Sequence, residues 1–433
     1  MRRCVVFIAA LIAPLTASAQ SARADLQQYV DGRTMMAAQA DLTKIDPVAL
    51  ETWMRQMMAA SGMTTGPFAL KPEQVDAQMA FVRKWLGDVV AAGGKEIYTV
   101  SWDDVSHGPP VAVILPAAPG GDVNKLASLL ADGGPDGPMS APQKNRQLLG
   151  PGSRDWVQVL NDNLVVAGGA NAINYIKNLK PAPRPDITEA LTAAGDSPIK
   201  IAIAPTFSIR NLIMTQLPPT IFGQPSSVVT QDLKWIAFGD TPPPAASVKV
   251  IVHASDPAKA QALDHIVTFG LAALSGVPPT ISPDLAKMLT PQVNGSDLVL
   301  TADNAKLLAI AKEVGPQVME ARRQAMLAQS LSLERQIVMA CQMYANDHKG
   351  IWPDDLKATQ KYIRNPRMLS GFVYLKPTAP TNRPSETPVL YESHKEFGSG
   401  VAVAFADGHC EFVANKQRFD DLIAKAALDA EPQ

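Results

Sequence analysis

An internal duplication constrains the fold of this chain more than any other feature of its sequence. Residues 97–103 (IYTVSWD) are echoed by residues 234–240 (KWIAFGD), and residues 111–115 (VAVIL) by residues 248–252 (VKVIV). In both copies a helical segment, a third apolar run and a second helical segment follow. The offset between the copies stays near 134 to 137 residues, so the sequence predicts a β-β-α-β-α unit that recurs with small insertions.

Alternating apolar residues in these runs favour strands that bury one face against the helices of the same unit. The two copies therefore predict a two-layer α+β domain over residues 96–315, with the second copy packed against the first. Stretches rich in proline and glycine at residues 133–138, 181–185 and 242–244 predict loops. This middle part resembles duplicated domains of unknown function in exported bacterial proteins.

The segment before the duplication, residues 25–95, is expected to be helical. Trp53 and Met57 recur at helical spacing, as do other methionines around them. Pro47 and Pro72, each placed after a polar residue, are typical of helix starts. Methionines at this spacing indicate a packed core rather than a soft-metal site.

The first residues indicate an export signal. Arg2 and Arg3 precede an apolar run at residues 5–15 that is too short to span a bilayer. Small residues offer cleavage after Ala19 or after Ala24, and no cysteine follows either site. We therefore expect a signal peptide over residues 1–24 and a periplasmic or secreted mature chain without a lipid anchor; an uncleaved membrane anchor is the alternative.

Charge and hydropathy argue against nucleic-acid binding and against a membrane span in the mature chain. The formal charge of −2 becomes −4 once the first 19 residues are removed, and no later stretch concentrates positive charge, so nucleic acid is not expected to bind. After signal removal no stable membrane span is expected. The best remaining candidate, residues 266–277, stops at Pro278 and indicates a core helix.

The last part of the chain, residues 316–433, opens with an amphipathic helix expected over residues 317–346. The following alternation around Asp407-Gly408 is a strong signal for a β-hairpin. The apolar face of the helix and the apolar face of the hairpin strands both have to be buried. We therefore expect the helix to pack on the sheet that contains residues 401–405.

Several segments of this part carry a family resemblance. The residues 342–356 (QMYANDHKGIWPDDL) resemble the turn that leaves the long helix of type II secretion pseudopilins. The runs FVYL, PVLYE and VAVAFADGHCEFV at residues 372–375, 388–392 and 401–413 are similar to the strand ending of planctomycete and related pilin-like proteins. The resemblance implies a pseudopilin-like module of one long helix and an antiparallel sheet.

The module departs from that family in its position. A pilin begins with a prepilin peptidase site and an apolar helix, whereas this module begins some three hundred residues into the chain. Its helix also carries Glu320, Arg322, Arg323, Glu334 and Arg335, so it is unsuited to be a membrane-embedded stem. We therefore do not expect assembly into a pilus by the usual route.

Candidate metal ligands are confined to the C-terminal module. His394, Asp407, His409 and Glu411 form the only cluster whose imidazole and carboxylate groups could share a divalent metal. The alternative is that Asp407 serves the hairpin turn while His409 and Glu411 face water.

Three more carboxylates, Asp347, Asp354 and Asp355, lie close together in sequence after the long helix. Some pseudopilins hold calcium beside their sheet, and hard oxygen ligands suit that ion. A helix start after Pro353, with carboxylates at the positive end of the helix dipole, is the competing interpretation and the one we favour.

Two cysteines remain once the signal peptide is removed, Cys341 on the apolar stripe of the long helix and Cys410 on the last strand. In an oxidising compartment they can form one disulfide. Two buried free thiols are the alternative.

These features define an α+β chain with N-terminal helices, a duplicated β-β-α-β-α domain and a C-terminal pseudopilin-like module. No phosphate loop, nucleophile elbow or paired-histidine zinc helix is present. We expect a non-catalytic exported protein, without a cofactor, that binds an envelope or extracellular protein or contributes to envelope assembly. The alternative is a metal-dependent hydrolase centred on His394, Asp407 and His409.

Overall fold

A computed structural model describes residues 26–63, 72–104, 110–133, 157–274, 282–363, 369, 371–377, 383–393 and 400–429. The chain divides into two compact units. The first contains residues 1–64 and 70–315, and the second contains residues 65–69 and 316–433. Helices and antiparallel sheets are mixed in the described residues, which confirms the predicted α+β class. None of the described helices is both long and apolar enough to cross a membrane.

Sixteen strands and ten α-helices are described. The strands are β1 Thr34–Asp41, β2 Glu96–Trp102, β3 Val111–Pro116, β4 Val157–Asn161, β5 Leu164–Gly168, β6 Ile199–Ile203, β7 Thr220–Ile221, β8 Gln224–Pro225, β9 Leu233–Thr241, β10 Ser247–Ala254, β11 Gln292–Asn294, β12 Asp297–Asp303, β13 Phe372–Tyr374, β14 Pro388–Glu392, β15 Val401–Phe405 and β16 Cys410–Val413. The helices are α1 Pro47–Ala60, α2 Pro72–Ala91, α3 Val123–Gly133, α4 Ala170–Asn178, α5 Pro185–Ala193, α6 Phe207–Gln216, α7 Pro257–Leu274, α8 Pro283–Leu289, α9 Asn304–Asp347 and α10 Lys416–Asp429.

The first unit is built on one ten-stranded sheet with the order β11-β12-β10-β9-β6-β1-β2-β3-β5-β4. Every neighbouring pair is antiparallel. Strands β1 and β6 pair at the centre, where Ala38 lies opposite Ile201. Outward from that pair, the order is β1-β2-β3-β5-β4 on one side and β6-β9-β10-β12-β11 on the other. The two halves of the sheet therefore have the same topology.

The segments that match in sequence lie on strands with equivalent places in this order. Strands β3 and β10, which carry residues 111–115 and 248–252, are each third from the centre. The strand register, however, shifts the match between β2 and β9 by two residues relative to the sequence comparison. Ile114 and Ile251 are equivalent, and they pair with Tyr98 and Ala237 respectively. A common origin of the two halves stays a proposal.

One detail of the expected match is wrong. The sequence comparison places Trp102 and Phe238 near matching strand ends. Trp102 is the last residue of β2 and lies opposite Thr34, whereas Phe238 lies inside β9 opposite Ile201. A shift by two residues keeps the same sheet face, so the alternation of apolar residues does not reveal it.

The segment expected to be helical contains a central strand, which is a correction. Strand β1 (TMMAAQAD) consists mostly of alanine and methionine, residues that favour helices when judged locally. It lies between β2 and β6 and has cover on both faces, so it lacks the alternation of a half-exposed strand. The two helix starts in this segment are confirmed. Helix α1 begins at Pro47, where Asp46 accepts hydrogen bonds from two backbone amides, and α2 begins at Pro72.

Helices cover both faces of the large sheet. On one face, α4 and α5 bury Ile173 and Ile187 in a cluster with Tyr98, Trp102 and Trp235 of the sheet. The opposite face packs Leu86 of α2 and Leu126 of α3 on Leu115, and Leu263 of α7 on Leu298. The expected two-layer arrangement is therefore wrong, because helices cover both faces of the sheet and make three layers. This cover on both faces is why the sheet residues are predominantly buried.

The second unit is formed by the long helix and a four-stranded antiparallel sheet of order β13-β14-β15-β16. Ile337, Val338 and Cys341 pack on Val389 and Ala404, which confirms the expected contact between helix and sheet. Helix α10 covers the other face of this sheet. The long helix starts earlier than expected, since α9 begins at Asn304. The helical segment that follows β12 and the long amphipathic helix are therefore one element.

We expect Gly239→Ala to destabilise the first unit. A Cβ at Gly239 would lie 2.5 Å from Ser197 Oγ and 2.7 Å from the Ala194 carbonyl oxygen, so the turn after α5 must move. The expected loss is about 1–3 kcal/mol of unfolding free energy, measured by urea denaturation. Gly87→Ala is the control, since nothing lies within 4 Å and the residue is inside α2; it should stabilise by about 0.5–1 kcal/mol. An unchanged urea midpoint for Gly239→Ala contradicts the packing described.

Candidate functional site

The predicted metal ligands of the C-terminal hairpin are only partly brought together. Asp407 accepts a hydrogen bond from the His409 amide at 3.0 Å, and its Oδ1 lies 2.6 Å from His409 Nδ1. Glu411 is drawn away to α10, where both of its carboxylate oxygens accept from Arg418 Nη2 at 2.6 and 2.9 Å. His394 lies outside the described residues. Within the described ranges, no group of three or more His, Cys, Asp or Glu is placed to hold a metal ion.

The three carboxylates that follow the long helix have separate partners. Asp347 lies 3.7 Å from Lys361 Nζ, and Asp354 pairs with Lys376 at 2.5 Å. Asp355 caps the 3₁₀ helix Leu356–Tyr362 by accepting from an amide of its first turn. The helix-start interpretation is therefore confirmed for Asp355, and the calcium interpretation gains no support.

Cys341 and Cys410 are free thiols in the structure, the first buried and the second half-buried. Both contact the same apolar cluster between α9 and the sheet. Burial raises the pKa of Cys341 to about 12 and that of Cys410 to about 11. Burial therefore disfavours the thiolate, the form that reacts to give a disulfide, at both positions in the folded protein. The pairing stays a prediction.

One of the charged residues that the sequence analysis placed on the long helix, Glu334, is buried, which the sequence did not indicate. Glu334 has no exposed surface, and neither of its carboxylate oxygens makes a hydrogen bond of ordinary geometry in the described part of the chain. Burial raises the pKa of Glu334 to about 9, and the nearby charge of Glu392 adds to the shift. One turn earlier, the Ser330 hydroxyl is likewise buried without a partner in the described residues. Burial therefore favours the neutral form of the Glu334 carboxyl group.

In the first unit, a histidine and a carboxylate far apart in sequence meet across two strands. His253 of β10 lies directly opposite Asp297 of β12, with Nδ1 2.6 Å from Asp297 Oδ1. On its other side the imidazole stacks on Trp235 of β9 at 4.6 Å. The pair lies near the end of β10 and at the start of β12. Strand register alone reveals such a pair, because the two residues belong to different sequence segments.

A denser polar cluster lies where β2 ends. Asp103 accepts hydrogen bonds from Arg33 Nε at 3.0 Å and from Thr206 Oγ1 at 2.7 Å. Burial works to raise the pKa of Asp103, but these hydrogen bonds outweigh it and lower the pKa. Tyr175 donates to Asp31 at 2.6 Å, and burial together with this acceptor raises its pKa. Both carboxylates are thus held as acceptors by neighbours, which is the arrangement of a structural network.

Two further groups on the large sheet carry unusual electrostatics. Lys200 of β6 is buried beside Gln39 of β1, which lies directly opposite. On the other sheet face, Asp240 of β9 has no hydrogen-bond or ion-pair partner among the described residues, and burial alone raises its pKa to about 7. Its cross-strand neighbours are Ile199 and Val248. The apolar surroundings favour the neutral form of this carboxyl group, and no other titratable side chain is its cross-strand neighbour.

The most distinctive surface of the first unit is apolar and aromatic. Phe222, at the tip of the β7–β8 hairpin, and Phe269 of α7 are 45% and 51% exposed. His265 lies between them: Nε2 is 3.2 Å from the Phe222 carbonyl oxygen, and its ring is 4.2 Å from that of Phe269. Phe222 and Phe269, joined by His265, are called the aromatic surface below.

The segments that form the aromatic surface are almost free of charge. Residues 207–231 contain one charged side chain, Arg210, and residues 266–283 contain none. Earlier on α7, Lys259 pairs with Asp232 at 2.9 Å, and Asp264 precedes His265. Arg210 donates to the carbonyl oxygens of Pro205, Thr230 and Leu233, so its charge is used within the fold. Exposed apolar groups with few neighbouring charges are a recognised mark of an interaction site.

The geometry thus defines a two-unit α+β protein with structural polar networks and an exposed apolar surface, but without a convergent catalytic set in its described part. Comparisons with protein-family models, with curated proteins and with solved structures found no match.

We expect Glu334 to make the stability of the second unit depend on pH. The folded state keeps this proton up to about pH 9, whereas the unfolded chain releases it near pH 4.5. The unfolding free energy is therefore greatest below pH 4.5 and falls as the pH rises towards 9. Between pH 5 and 8 the loss is on the order of 3 kcal/mol, and Glu334→Gln should remove it.

Hydrogen exchange of the α9 peptide around Ile337 measures this effect locally. Glu320→Gln is the matched control, because Glu320 lies on the same helix but is exposed and paired with Arg323. The control should keep the pH dependence of the unmodified chain. If Glu334→Gln also keeps it, Glu334 is not the group that titrates.

The cysteine pair is tested by mass. The mature chain, purified from an oxidising compartment and alkylated in denaturant without reductant, should gain no alkyl group because Cys341 and Cys410 are bonded. In the chain-entropy model such a bridge stabilises the unit by roughly 4 kcal/mol, less any strain it stores. Two added alkyl groups would show two free thiols and rule the bridge out; Cys341→Ser, which should gain one group, is the control.

Proposed function

We propose that this protein is an exported, non-catalytic binding protein of the cell envelope, periplasmic or secreted, which docks onto an envelope or extracellular protein. The expected signal peptide supports export, although it lies outside the described residues. The second unit supports the pilin-like assignment in a coarse way, since a long helix packs on an antiparallel sheet there. One observation carries the binding role: the aromatic surface formed by Phe222 and Phe269.

A protein partner fits this surface better than a lipid bilayer. Helices that lie in a membrane interface commonly carry lysine or arginine on their polar face. The segments that bear the aromatic surface offer no free cation, and the chain carries a net negative charge. Aromatic residues with few nearby charges are typical of the buried centre of protein interfaces. The partner is therefore expected to present an apolar patch of its own.

The alternative, a metal-dependent hydrolase centred on His394, Asp407 and His409, gains no specific support. Asp407 and His409 are each other's partners. Glu411 pairs with Arg418. An enzyme would also need a further group aimed at a reacting atom, and none is placed beside this pair among the described residues.

The docking role is tested with a photoreactive phenylalanine analogue at position 269 of the exported chain. We expect a crosslink to one envelope protein, and a yield lowered roughly tenfold or more by Phe222→Ser, because aromatic anchors carry much of the energy of an interface. The same analogue at Val48 is the control, since Val48 is comparably exposed in the same unit. It should give no such crosslink.

Three outcomes contradict the proposal. Equal crosslinks from positions 48 and 269 would show non-specific contact. Flotation with phosphatidylethanolamine–phosphatidylglycerol vesicles that is lost in Phe222→Ser would identify a bilayer as the partner. A crosslinked species of twice the chain mass, made only of this chain, would identify a second copy.

A further inference from the structure

A cavity of about 300 Å³ opens on the first unit, away from the residues of the aromatic surface. Residues 26–30, the loop 181–184 and helix α5 enclose it. Its apolar lining consists of Leu26, Val30, Pro181, Pro183, Ile187 and Leu191. A hydrogen bond from the Ala182 amide to the Val30 carbonyl oxygen joins the two segments across from α5 at 3.0 Å. The volume lies at the small end of the range for ligand pockets.

The cation that lines the cavity is not available to a ligand. Arg184 has five N–H donors, and all five are used: Nε and Nη2 bind Asp186, Nη1 binds the Gly32 and Thr34 carbonyl oxygens, and Nη2 also binds the Ala204 carbonyl oxygen. Because its donors are saturated, it has none left for a carboxylate or phosphate.

Three neutral polar side chains also line the cavity, the exposed Gln27 and Gln28 and the partly buried Thr188. Thr188 accepts a hydrogen bond from Gln27 Nε2 at 3.1 Å and donates to the Arg184 carbonyl oxygen at 3.2 Å. The most buried side chains of the lining are apolar, so recognition in that part of the cavity has to come from apolar contact. A bulky polar head would leave its own groups without partners there, which is costly, so the head must remain at the open mouth.

We propose that this cavity binds the alkyl chain of an amphiphile, tail inward and head group in solvent. The site is independent of the docking role proposed for the aromatic surface. The chain can come from a free fatty acid or from a membrane lipid, since both present the same methylene groups. Because the lining offers no charge, the protein discriminates by chain length and not by head group.

Isothermal titration of the full mature chain with octanol, decanol and decanoate tests this proposal. We expect one site per chain, with affinity rising about fourfold for each added methylene until the cavity is full. Decanol and decanoate should differ by no more than about threefold at 0.15 M salt, because the donors of Arg184 are all used within the protein and salt screens more distant charges. Lysophosphatidylcholine, added as a separate arm, shows whether the mouth also admits a membrane-lipid head.

Substitutions assign the site. Leu191→Trp fills the cavity and should weaken decanol binding at least tenfold, which corresponds to 1.4 kcal/mol. Ile187→Ala enlarges it and should shift the preference towards dodecanol, which keeps the test valid if the tryptophan variant does not fold. Val159→Trp, at an exposed position of the same unit, is the control and should bind as the unmodified chain does.

Several results would overturn the proposal. They are the absence of saturable binding, affinity that does not change with chain length, and a decanoate preference that disappears at high salt. Equal weakening by Val159→Trp and Leu191→Trp would place the alcohol elsewhere. None of these results bears on the crosslinking test of the aromatic surface, so the two proposals fail separately.

Discussion

The pairing of β1 with β6 is the constraint on which the rest of the first unit depends. Every other strand of the ten-stranded sheet is attached outward from one of these two. The strands meet in register with Ala38 opposite Ile201, and both are covered on each face. Because the partners are far apart in the chain, the pairing has to overcome a large loss of chain entropy before the outer strands stabilise it. The two halves then complete one continuous sheet.

Arg184 shows how the junction between the halves is held. Its guanidinium group binds carbonyl oxygens of Gly32 and Thr34 beside the start of β1 and of Ala204 beyond the end of β6. Asp186 neutralises its charge within the same short segment. A buried arginine is costly unless all of its donors are satisfied, and here they are. Because these hydrogen bonds use every donor of Arg184, the side chain has none left for a ligand in the neighbouring cavity. The contacts that hold the two halves together therefore also limit what that cavity can bind.

The polar groups of the first unit serve the fold rather than a reaction. Asp103 and Asp31 are acceptors in closed networks, and His253 is fixed between Trp235 and Asp297. Such arrangements perturb pKa values without creating a catalytic set, because no group is left aimed at a common point. What remains available is apolar: the aromatic surface and the cavity beside α5. Both are places where an apolar partner or ligand can make contact.

The sequence by itself determined the features that depend on short stretches of neighbouring residues. The helix starts at Pro47 and Pro72, the Asp407-Gly408 hairpin, the cap at Asp355 and the packing of the long helix on its sheet all follow from local turn chemistry and apolar periodicity. Only the tertiary structure decided the rest: β1 as a central strand, the two-residue shift between β2 and β9, the meeting of His253 with Asp297, and the burial of Glu334. The reason is physical. Local propensity and periodicity are properties of neighbouring residues, whereas burial on both faces and strand register are set by partners far away in the chain.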